Sequence, residues 1–156
     1  RLRAWGRQNG VAVSILRAPG IYAADRLPLE RLEKGMPALV DRDDGYTNHI
    51  HADDLAAACV AALRRGGANR AYNAVDDSDL KMGEWFDRVA DAFALPRPPR
   101  IARAEAERTL PPMLMSFMRE SRRIGNRRLR NELELRLAYP TVDDGIRAAL
   151  QGRNPC

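Results

Sequence analysis

Residues 1–16, "RLRAWGRQNGVAVSIL", constrain the fold most. A polar, helix-like segment runs to Gly10, and a short apolar run rich in β-branched residues follows. Glycine stops a helix at that place because it accepts the left-handed backbone of the C′ position. The almost unbroken apolarity of residues 11–16 predicts a strand covered on both faces, as in a parallel sheet. Helix, glycine and buried strand in succession point to the α/β class. The run then halts at Arg17-Ala18-Pro19-Gly20, with Tyr22, Asp25 and Arg26 close behind. Ligands in open α/β sheets sit at the carboxyl ends of strands. The residues alone leave two readings of this turn open, a plain Pro-Gly reversal or the lip of a ligand site.

Further along, the pattern predicts a short helix over 27–34 closed by Gly35, a brief strand over 37–40, a polar loop over 41–46 and an extended piece over 48–51. Asp53 and Asp54 then stand where carboxylates accept the free N–H groups of a helix start. That helix is expected to reach Arg65, with Leu55, Ala58, Cys59, Ala62 and Leu63 as its buried stripe and Gly66-Gly67 as its stop. A strand over 71–75 and a turn over 76–79 follow. The next helix, 82–94, carries Met82, Trp85, Phe86, Val89, Ala90 and Phe93 on one face, a core pattern. Residues 96–100, "PRPPR", read as a stiff linker. Helices are expected over 104–109, 112–119 (with Leu110, Met113, Leu114, Phe117 and Met118 as an apolar face), 127–134 and 142–150.

With 156 residues the chain is long enough to bury a real core. No apolar run approaches the roughly 18–20 residues a bilayer span requires. Two cysteines make no disulfide framework, which fits a reducing cytoplasm. Cys59 reads as a small core residue and Cys156 is terminal. His49 and His51 lack the further ligands a metal site needs. The net charge of +5 is concentrated after residue 95, most densely in 119–130, "RESRRIGNRRLR". Such a run can grip phosphates. No aromatics are interleaved with it, so base stacking is unsupported. With only two lysines in the chain, arginine is also its general surface cation.

Four pieces, in order, resemble the C-terminal half of the extended short-chain dehydrogenases/reductases, the NAD-dependent epimerase/dehydratase family. "ILRAPGIYAADR" resembles the family's Arg-x-Pro-x-x-x-Tyr-Gly-Pro segment through Arg17, Pro19 and Tyr22, with Ala18 as an extra residue and Ala23-Ala24 in place of Gly-Pro. "NHIHADDLA" resembles Asp-Tyr-Ile-His-Val-x-Asp-Leu-Ala through Ile50, His51, Asp54, Leu55 and Ala56. "AYN" at 71–73 resembles a family strand. The closing "NRRLRNELELRLAYPTVDDGI" matches at Asn126, Leu129, Leu133, Tyr139, Pro140, Gly145 and Ile146.

The resemblance implies an α/β fold: the C-terminal part of a Rossmann-like parallel sheet and a mostly helical substrate-binding subdomain. Residues 1–26 would end the dinucleotide-binding sheet, and 27–156 would form the substrate side with one returning strand near 71–75. It also implies NAD or NADP as cofactor, with Pro19, Gly20 and Ile21 beside the nicotinamide and Tyr22, Arg26, Asn48 and His51 on the substrate side. His51 is expected to order its loop through hydrogen bonds and Asp54 to cap the helix. Thr47 and Asn48 stand where many sugar-nucleotide enzymes carry arginine, and a neutral pair supplies no charge-assisted phosphate bonds.

The family's glycine-rich phosphate loop and Tyr-x-x-x-Lys pair do not occur in the chain. No catalytic residue is therefore expected within it. We read it as a piece of a longer NAD(P)-dependent epimerase, dehydratase or reductase, inactive alone and acting on a small molecule. In the whole protein residues 1–9 would belong to a helix at a homodimer interface. A non-catalytic nucleotide sensor of the same fold and a nucleic-acid module built on 119–130 are the alternatives.

Overall fold

The computed structural model describes residues 1–153; Cys156 and the side chain of Phe117 lie outside what is described. Helix α1, Leu2–Gln8, ends as the sequence requires, with Gly10 at φ 65°. The strand after it is shorter and later than expected: β1 is Ile15–Arg17. Residues 11–14 are spent leaving the helix, with the Val11 N–H donating to the Gly6 carbonyl at 2.9 Å. Val11 is 45% exposed and β1 only half-buried, so this run is not covered on both faces among the described residues.

Two parallel strand pairs position the site. Strand β2, Gly20–Tyr22, pairs with β5, His49–His51, and β1 pairs with β6, Ala71–Asn73. The strand expected over 71–75 is thus observed over Ala71–Asn73. Two smaller strand pairs lie further along the chain. Strand β3, Ala38–Leu39, lies parallel to β8, Arg100–Ile101, and β4, Tyr46–Thr47, runs antiparallel to β7, Leu80–Lys81. Strand β8 falls at the end of the expected linker. Proline lacks an N–H but keeps its carbonyl, and the Pro99 carbonyl accepts from Ala38 N–H at 2.9 Å.

The helices are α2, Leu29–Glu33; α3, Ala52–Arg65; α4, Met82–Ala92; α5, Arg103–Thr109; α6, Pro112–Arg119; α7, Arg127–Glu132; and α8, Val142–Arg153. As its spacing predicts, α4 buries Trp85, Phe86, Val89 and Ala90, against Tyr22, Leu32, Val142 and Ile146. Each large side chain buried there contributes about 1.5–3 kcal/mol. Leu129 and Leu133 pack on Tyr72, Ala58 and Ala61, holding α7 to β6 and α3. Met115 and Met118 join Ala106 and Leu39 in a third cluster.

Helix α3 departs from expectation in two ways. Its buried residues are Asp54, Ala58 and Ala61, whereas Cys59 is exposed and Leu63 is 88% exposed. The inward stripe is rotated because a carboxylate occupies it. Asp54 does not cap the helix: its Oδ1 and Oδ2 accept the N–H groups of Ala138 and Tyr139 at 2.7 and 2.9 Å. The cap is His51, whose Nδ1 accepts the Asp53 N–H at 3.3 Å.

Candidate functional site

A cavity of about 640 Å³ lies at the carboxyl ends of β1 and β6, walled by Arg17, Pro19, Asn73, Arg122, Arg123 and Gly125. A second, about 420 Å³, continues past Pro19 along Gly20, Tyr46, Asn48, Met82 and Arg122. The roof over both is the segment 120–125. Arg122 N–H donates to the Tyr46 carbonyl at 3.2 Å, and Tyr46 N–H donates to Ser121 Oγ at 3.1 Å. Asn48 clamps the same segment with both ends of its amide: Nδ2 donates to the Arg122 carbonyl at 2.7 Å, and Oδ1 accepts Ile124 N–H at 2.9 Å.

The structure brings together Pro19, Gly20 and Asn48 at this cleft. Ile21 is 40% exposed beside them on β2. Gly20 is needed for packing in its own right, since a Cβ there would stand 3.0 Å from the Asn48 carbonyl oxygen and from His49 Cδ2. Arg26 is exposed and lies on neither cavity wall. Tyr22 and His51, expected on the substrate side, are both buried. Tyr22 is 3% exposed, packed edge-on to His51 and Trp85, and its hydroxyl donates to the Thr141 carbonyl. His51 stacks on Tyr139 with ring centres 3.8 Å apart. Alternation explains Tyr22: residues one apart on a strand face opposite sides, so with Ile21 outward Tyr22 turns in.

Sequence reasoning missed Arg122 and Arg123 as cleft residues, because only the folding of 120–125 over Tyr46 brings them to Pro19. Arg123 pairs with Asp79 and lies over the Tyr46 ring at 4.9 Å. Elsewhere in the basic run, Arg119 pairs with Glu107 and Arg130 with Asp77. Much of that run is thus matched by neighbouring carboxylates.

Behind the cleft, Asp76 is 5% exposed and borders a cavity it shares with Asn48 and Arg123. Its Oδ1 accepts Ser78 N–H at 2.9 Å, while Oδ2 is buried without a partner. Burial, with Asp77 and Asp54 adding to it, pushes this carboxyl up to about 7. Burial holds the nearby strand residue His49 down at about 4, so it is neutral at pH 7.

The Asp76 proton links stability to pH. Between pH 3.8 and about 7 the unfolded chain has lost a proton that the folded chain keeps, so stability falls as pH rises through that window. His49 acts oppositely, since between pH 6.5 and about 4 the unfolded chain takes up a proton the folded chain refuses. We expect Asp76→Asn to match the parent below pH 4 and to gain on it steadily up to pH 7, reaching roughly 2–4 kcal/mol at pH 8. Urea titrations of both proteins from pH 4 to 8 measure this; a constant difference across pH would contradict the buried, protonated carboxyl.

No protein-family model matches the sequence. A 3-diazoavenalumate denitrifying reductase from a Streptomyces species is 28% identical over 132 residues, which is 84% of this chain and 43% of that protein. A conserved protein of unknown function from Silicibacter pomeroyi is 28% identical, with a TM-score of 0.84 over 97% of this chain and 53% of that one. A nucleoside-diphosphate-sugar epimerase from Pseudomonas aeruginosa is 21% identical, with a TM-score of 0.75 over 96% of this chain and 51% of that one. The chain shares the fold of these structures. A human epimerase family protein with this fold, 15% identical, was solved with NADPH; its TM-score is 0.73 over 90% of this chain and 49% of that one. The chain spans about half the length of the relatives it matches. Among the described residues, no helix is long and apolar enough to cross a membrane.

Proposed function

We propose that this chain forms the substrate-side wall and nicotinamide lip of an NAD(P)-dependent epimerase, dehydratase or reductase acting on a carbinol or carbonyl carbon of a small substrate. The observation that carries the reading is the cavity at the shared carboxyl ends of β1 and β6, with Pro19 at its edge. The residues fit the nicotinamide end of such a cofactor: the backbone of 19–21 would hold the carboxamide, and bound NAD(P) would supply or accept a hydride. They do not fit its pyrophosphate, since the chain contains no glycine-rich loop. Arg17 gives the cleft positive charge for an anionic substrate, beside Arg122, which pairs with Glu120 at 3.4 Å. Asn48 holds the roof, and both its amide groups are already committed.

The test is the reading frame upstream of the Arg1 codon, followed by NAD(P)H oxidation assays on the extended protein. A glycine-rich strand–turn–helix, a Tyr-x-x-x-Lys and cofactor-dependent turnover are expected. An upstream frame without those two motifs would contradict the proposal.

The exposed apolar residues Leu2, Trp5 and Val11 around α1 support self-association, as at a homodimer interface. Light scattering is expected to show mass rising with concentration for the parent and a lower mass for Trp5→Glu. A clean monomer at all concentrations would count against this interface.

A further inference from the structure

We propose that an arginine-lined cavity between α1, β6 and α7 binds a small phosphorylated molecule. The cavity, about 450 Å³, is walled by Arg3, Arg17, Asn69, Arg70, Arg127 and Arg128, with no carboxylate in its lining. These side chains come from four separate parts of the chain, so the concentration of charge is a product of the fold.

The charges are neutralised only in part from within, by one carboxylate that Arg70, Arg128 and Arg127 all act on. Arg70 and Arg128 share a single carboxylate, Glu132. Among the described residues, Arg3, Arg17 and Arg127 have no carboxylate within 4.0 Å. This contrasts with Arg119, Arg123 and Arg130, each of which has its own acidic partner. Like charges gathered in a concave site repel, and a bound anion removes that repulsion.

Two buried polar atoms in the wall also lack partners. Arg3 Nε is a donor without an acceptor, and Asn69 Oδ1 an acceptor without a donor. Arginine's planar fork suits phosphate oxygens by paired N–H bonds. The volume suits a compact ligand, and no aromatic ring lines the wall to stack a base. A phosphorylated small molecule therefore fits better than a nucleic-acid strand. Arg17, Asn73 and Gly125 also wall the cleft at Pro19, so a ligand here would lie beside that cleft.

The test is calorimetric titration of the whole chain with inorganic pyrophosphate and glycerol 3-phosphate, with citrate and a DNA duplex as comparison ligands. One phosphate-dependent site per chain is expected. Arg127→Ala, an exposed change, should weaken binding about tenfold or more, and Arg127→Lys should restore it only in part. Arg3→Ala should weaken it similarly, with its fold checked by circular dichroism. Arg97→Ala, which removes a surface pair with Asp91, should leave it unchanged. Stronger binding of glycerol 3-phosphate than of pyrophosphate would assign a hydroxyl-bearing monoester, and the reverse a diphosphate. No binding, equal binding of citrate, loss on Arg97→Ala, or tighter binding of the duplex through the same arginines would each overturn the proposal.

Discussion

Gly145→Ala is expected to destabilise the protein by about 3 kcal/mol or more, a large loss for one methyl group. Gly145 lies in α8, where alanine is intrinsically the better helix former, so propensity alone predicts the opposite sign. The space decides the matter. A Cβ at 145 would stand 2.4 Å from the Tyr22 hydroxyl oxygen and 2.5 Å from Cε2 of its ring. That ring has little room to yield, being packed edge-on to His51 and Trp85. Urea midpoints measure the effect. Tyr22→Leu in the same chain should recover part of the loss, because the two substitutions share one contact. A stability change within about 0.5 kcal/mol for Gly145→Ala would show that α8 does not rest on Tyr22 in this way.

Asp54→Ala should cost a similar amount, about 3 kcal/mol, through loss of acceptors rather than crowding. Asp54 is 2% exposed and is the shared acceptor for the N–H groups of Ala138 and Tyr139. Truncation leaves both donors without that partner in a place where water has little access. Asp54→Asn keeps one acceptor oxygen and should cost less, about 1–2 kcal/mol. Amide exchange at 138 and 139 should accelerate in both variants. Unchanged exchange at those two amides would contradict the role assigned to the carboxylate.

These two residues show where sequence reading ends. Both lie in segments whose resemblance to a family is legible, and the physical work of each depends on a partner more than 80 positions away. What is local was readable. The apolar face of α4 follows from helical spacing, and Gly10 and Gly35 mark helix ends with positive φ. Pro19 and Gly20 do not make the expected turn: Gly20 opens β2 directly. What depends on tertiary register was not. The buried stripe of α3 turned away from Cys59 and Leu63 because Asp54 had to face 138–139. Tyr22 turned inward because Ile21 faces out. Proline-rich residues near 99 contributed through a carbonyl, which the absence of an N–H conceals. At the cleft, Pro19 and Gly20 were visible in the sequence, whereas Arg122 and Arg123 read as solvated surface until the 120–125 segment folded over Tyr46.

The central claim is that the backbone at 19–21 faces a nicotinamide ring. A crystal structure of the upstream-extended protein with NAD(P)H tests it most directly. We expect the carboxamide within hydrogen-bond reach of the backbone at Pro19–Ile21, and the substrate cavity opening beside it towards Arg17 and Arg122. A cofactor seated elsewhere, or a saturated crystal with no cofactor at that segment, would contradict the claim.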